Sequence, residues 1–109
     1  MIMSMNDLRA ITDRVEIEAL RGELTDAAMM RDYDRAASLF TRDGVVRMPH
    51  LNVERAGQEE IRAWAEQMSA LVDYFVQTTH RGTIRPDGDT ACDRAYICEL
   101  IRSAAAAWS

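Results

Sequence analysis

The sequence predicts an α+β domain. Apolar residues recur at helical spacing early in the chain. A second helical stripe crosses its middle, and two β-rich runs flank an Asp-Gly turn near its end.

The first helix is expected over about residues 13–31. Ile17, Leu20, Leu24 and Ala27 or Ala28 line one face, and Asp13 with Glu16 reads as its start. Gly22 weakens this helix by up to ~1 kcal/mol. Asp32 is placed to cap a shorter helix over about 33–41, through Arg35, Ala37 and Phe40. Thr41-Arg42-Asp43-Gly44 then reads as a turn. Val45–Met48 is a short strand closed by Pro49, and 51–56 is a strand or a loop. A third helix is expected over about 57–72. Glu59 and Glu60 sit in its first turn, where the helix dipole favours acids, and Ile61, Trp64, Met68 and Leu71 form its apolar stripe.

The runs at about 74–85 and 90–102 form a hairpin around Asp87-Gly88. A loop centred there sets His80 opposite Ala95, Gly82 opposite Asp93, Thr78 opposite Ile97 and Val76 opposite Glu99. These residues would share one face of the sheet, with Arg81, Tyr96 and Cys98 on the other.

One hundred and nine residues suit a single domain. A net charge of −5, with basic residues scattered, argues against nucleic acid and against an anionic membrane surface. Two cysteines do not make a disulfide framework, and no apolar run approaches the ~18 residues of a membrane helix. The start carries no secretory signal, so a cytoplasmic location is expected. No Gly-rich phosphate loop and no metal-ligand spacing occur, so no cofactor and no metal are expected.

Chemistry centres on His80, one of two histidines, because an inward-facing imidazole can move a proton near neutral pH. Asp93 lies diagonal to it on the expected face. Asp26 and Asp32 sit about one helical turn either side of Met29. Met29, Met48, Trp64 and Thr78 are candidate walls for a flat apolar ligand. Tyr33 and Tyr74 are candidate hydrogen-bond donors to developing oxygen charge.

The run Arg31-Asp32-Tyr33-Asp34-Arg35-Ala36-Ala37-Ser38-Leu39-Phe40-Thr41-Arg42-Asp43-Gly44 resembles the opening of a SnoaL-like domain, of the nuclear transport factor 2-like superfamily. Gly57-Gln58-Glu59-Glu60-Ile61, Thr79-His80-Arg81-Gly82 and Asp87-Gly88-Asp89-Thr90-Ala91 follow in the order that family shows. The resemblance implies a cone: a curved antiparallel sheet around a pocket, covered by N-terminal helices. It implies a small apolar ring compound as ligand, no cofactor, and a homodimer. Its enzymes include polyketide cyclases, dehydratases and ketosteroid isomerases, while other members only bind ligands. In the dehydratase branch His80 would be the general base. The helix aspartate that orients that base falls at Met29, whose thioether cannot hold a tautomer. Such domains also run on with further strands. A shorter wall, a partner's edge or an incomplete chain each accounts for the difference. Three functions follow: a cofactor-free lyase or isomerase, a ligand-binding module, or an assembly domain.

Overall fold

Ser4 starts the first helix, well ahead of Asp13. Its hydroxyl accepts from the Asp7 backbone N–H at 3.0 Å, and the Asp7 carboxylate accepts from the Ser4 N–H at 3.2 Å. This reciprocal cap satisfies two donors at once, which a lone Asp13 inside the helix cannot do. The computed structural model describes residues 4–103.

Helix α1 spans Met5–Met29. Arg31 then takes a left-handed φ of 56°, and the Asp32 N–H reaches back to the Ala27 carbonyl at 2.9 Å. Asp32 caps α2, Tyr33–Ser38, by accepting from the Arg35 N–H. Strand β1, Val45–Met48, pairs antiparallel with β2, Val53–Ala56. The second of the two alternatives for 51–56 therefore gives way to a strand. A short 3-10 turn at Pro49–Leu51 joins the pair, with Asn52 left-handed. Helix α3 spans Gln58–Ala70.

The three buried apolar residues among those described are Ala27, Ala37 and Ile61, one from each helix. Two of the three are alanines, which let the helix backbones approach closely. No helix among the described residues is long and apolar enough to cross a membrane.

Strands β3, Val72–Asp87, and β4, Thr90–Ser103, form the long hairpin. The turn differs from expectation. Asp87 pairs with Thr90, so Gly88 and Asp89 form the two-residue loop, with Gly88 at φ 60°. A bulge follows at Gly82: Thr83 pairs with Arg94, but Arg81 pairs with Ala95. A Cβ on Gly82 would overlap the Arg94 carbonyl, so only glycine fits the bulge.

The bulge decides which side chains face the helices. Above it, Ile84 and Pro86 share a face with Asp93 and Ala91. An unbroken strand would continue that face through His80. The extra residue switches the alternation, and Gln77, Thr79 and Arg81 turn toward α1 instead. His80 pairs with Tyr96 and Thr78 with Cys98, on the outer face. The expected pairs His80–Ala95 and Thr78–Ile97 are thereby corrected.

Candidate functional site

Packing α1 across β3 leaves an open cleft of about 510 Å³ between them. That volume lies in the range of small-molecule sites, about 300–1,000 Å³. Gly22 explains part of the opening. It lies on the cleft wall in the middle of α1, and a Cβ built there would meet nothing within 4 Å. A residue that weakens the helix thus leaves space beside the sheet.

The cleft joins an apolar wall to a polar floor. Met29 lines it, and its sulfur accepts from the Gln77 backbone N–H at 3.1 Å. The Thr25 hydroxyl donates to Gln77 Oε1 at 2.9 Å and lies 3.0 Å from Thr79 Oγ1. A hydroxyl has one proton, so Thr79 donates in the second contact. Gln77 Nε2 in turn donates to Glu99 at 3.2 Å.

Two arginines flank this floor. Arg21 is engaged on three sides: Nε donates to Asp93 at 2.7 Å, Nη1 to Glu18 at 3.2 Å and Nη2 to the Arg94 carbonyl at 3.2 Å. Among the described residues Arg81 reaches Glu18 alone, at 3.6 Å, and its side chain is 86% exposed.

The residues singled out in the sequence scatter around this cleft. Met29 and Asp26 line it. Asp26 also accepts from Arg35, which pairs with Glu23 and Asp32 as well. Hydrogen bonding to Asp26, then the nearby carboxylates, raise the Arg35 pKa above its ordinary value. Asp93 lies on the helix-facing side and is held by Arg21, so it does not share a face with His80. His80 is exposed on the outer face, and so is Thr78, whose hydroxyl points to the Cys98 carbonyl at 3.5 Å. The bulge at Gly82 is the physical reason for both corrections. The Tyr33 hydroxyl donates to Ser69 Oγ at 2.7 Å, where Arg31 also donates. Met48 and Trp64 are half-buried on β1 and α3, and neither lines the cleft. Tyr74 is 40% exposed, beside the second irregularity of the hairpin. Among the described residues no group of three His, Cys, Asp or Glu is placed to hold a metal ion.

Sequence reasoning missed Thr25, Gln77, Thr79 and Arg81. The available signal was Gly22, a helix-weakening residue with no local reason to be there.

The family model of the SnoaL-like domain matches residues 9–108. An uncharacterised protein of Mycobacterium tuberculosis, Rv2910c, is 28% identical over 95 residues, which are 87% of this chain and 64% of its own length. The chain therefore spans less than two thirds of that relative. A solved candidate aromatic ring hydroxylase from Novosphingobium aromaticivorans superposes with a TM-score of 0.80 at 24% identity, covering 86% of this chain and 68% of that one. A candidate scytalone dehydratase from the same organism gives 0.80 at 19% identity, covering 94% and 68%. At such identities the two structures share a fold with this chain.

Proposed function

Because the chain belongs to the SnoaL-like domain family, we propose that it binds a small ring compound in the cleft between α1 and β3. The observation that carries this reading is the cleft itself: about 510 Å³, where Met29 and the bare Gly22 of α1 lie among hydrogen-bonding side chains of both the helix and the facing strand. An apolar wall suits a flat ring, and a few polar groups fix its orientation.

The test is a thermal-shift screen with fused-ring compounds. Binders raise the Tm of the wild type by mass action. Gly22→Leu fills the cleft and removes the shift. A shift that survives Gly22→Leu overturns the reading.

A second reading makes the domain a cofactor-free lyase or isomerase. It is favoured by Asp26, a carboxylate on the cleft wall beside the ligand space. The candidate dehydratase that shares the fold fits the same chemistry. Asp26 would take a proton from a carbon beside a ring carbonyl, leaving the electron pair as an enolate, and return that proton to another carbon of the conjugated system, while Arg35 positions its carboxylate. Turnover of a cleft ligand, lost in Asp26→Asn with binding retained, separates catalysis from binding alone.

The same proposal includes a homodimer in the cytoplasm. Its supports are the exposed apolar side chains Tyr96 and Leu100 on the outer face of β4 and the unbridged Cys92 and Cys98. Sedimentation at the mass of a single chain overturns the dimer.

A further inference from the structure

The charged groups of the cleft are unequally committed. Glu18 is bonded to Arg21, and Asp26 to Arg35. Arg21 itself is closed off by Asp93, Glu18 and the Arg94 carbonyl, and its side chain is only 13% exposed. Arg81 differs. Among the described residues it has no acceptor within hydrogen-bond distance, and its contact with Glu18 is an ion pair at 3.6 Å. An ion pair that exposed contributes little and is readily exchanged. The floor beside it is self-satisfied: Thr79 donates to Thr25, Thr25 to Gln77, and Gln77 to Glu99. The charged donor left for a ligand is therefore the Arg81 guanidinium.

From this the geometry points to an aromatic carboxylate as the ligand class, with its ring against Met29 and Gly22 and its carboxylate on Arg81. The guanidinium fork matches a carboxylate with two parallel hydrogen bonds, which a neutral amide cannot reproduce. Glu18 stays paired with Arg21 when the ligand anion replaces it at Arg81, so no carboxylate is stranded. This inference rests on the cleft being the binding site, and makes Arg81 the residue that sets specificity within it.

The probes are 2-naphthoate and its neutral isostere 2-naphthamide, titrated by calorimetry into wild type, Arg81→Gln and Gly22→Leu. Wild type binds the acid about threefold tighter than the amide, the size of one solvent-exposed charged contact. In Arg81→Gln the two affinities converge, and in Gly22→Leu both compounds stop binding. Thr79→Leu obstructs the cleft from the sheet side should Gly22→Leu fail to fold. A preference for the acid that survives Arg81→Gln, or no preference in wild type, overturns the role of Arg81. If the blocked variants still abolish binding in that case, the cleft stands and only the anion assignment falls. If the blocked variants bind as wild type does, or neither probe binds wild type, the cleft reading and this inference fall together.

Discussion

Arg21 on α1 and Asp93 on β4 meet across 72 residues of sequence, with Arg21 Nε 2.7 Å and Nη2 2.6 Å from one Asp93 oxygen. This contact ties the helix to the second strand of the hairpin, beyond the strand it directly overlies. Because the guanidinium is largely covered, losing its partner leaves a poorly solvated charge. Asp93→Ala is expected to destabilise the fold by about 1–2 kcal/mol, and Asp93→Asn by less, since an amide oxygen still accepts. Thermal melts read this as a Tm lower by several degrees. An unchanged melt for Asp93→Ala means that the contact does not hold α1 to the hairpin.

Two glycines predict opposite outcomes for the same substitution. Gly82→Ala forces a methyl group into the Arg94 carbonyl, and backbone cannot swing aside as a flexible side chain does. The bulge must open, at about 2 kcal/mol or more. Gly22→Ala meets nothing within 4 Å and removes a flexible residue from a helix interior. It is expected to stabilise by about 0.5–1 kcal/mol. Urea unfolding of both variants beside wild type measures the contrast, and equal effects would refute the assigned bulge.

Glu59 predicts a pH dependence. Hydrogen bonding from Arg62, then its charge, hold the Glu59 carboxyl below the usual carboxylate range. A pKa depressed by folding contributes stability above the unfolded value, and that contribution is lost as pH falls through the folded one. Glu59→Gln is therefore less stable than wild type at neutral pH, and the two converge in acid. The effect is small, since both groups are at the surface. Arg62, whose pKa is raised by Glu59 and Glu66, stays charged throughout and adds no pH dependence of its own. Melting wild type and variant in parallel from neutral to acid pH checks the sign. A gap that widens in acid contradicts it.

The order of elements was legible because it rests on period and punctuation. The Ile61–Trp64–Met68 spacing predicts α3, Asp32 caps α2, and Asp87-Gly88 marks the hairpin. The site was harder to read because it depends on parity. Asp-Gly fixes the hairpin only to within a residue or two, and the loop fell on Gly88-Asp89. Gly82 then added one residue to one strand. A bulge carries no signal beyond a glycine within a strand, yet it exchanges every inward residue below it for its neighbour. The same limit applies to α1. Ser4 with Asp7 is a cap only if the helix extends that far, and the apolar period in that stretch is weak.

The exchange of faces at Gly82 makes His80 the sharpest test of the fold against the resemblance. A regular strand would carry the imidazole to the helix side with Ile84 and Pro86, where it could act on a ligand. The bulge carries it to the outer face, opposite Tyr96, where it is exposed. Among the described residues it makes no side-chain hydrogen bond or ion pair, so His80→Ala strands no partner. The variant is expected to melt within a degree or so of wild type, as surface changes away from special features do. Its ligand-induced Tm shift should equal that of wild type, while Gly22→Leu abolishes the shift. Loss of ligand binding or of turnover in His80→Ala would place the imidazole in the cleft. The strand would then have to run straight through Gly82, and Gly82→Ala, which an unbulged strand accommodates, would leave stability nearly unchanged. Measured together, the two variants determine which face residue 80 occupies.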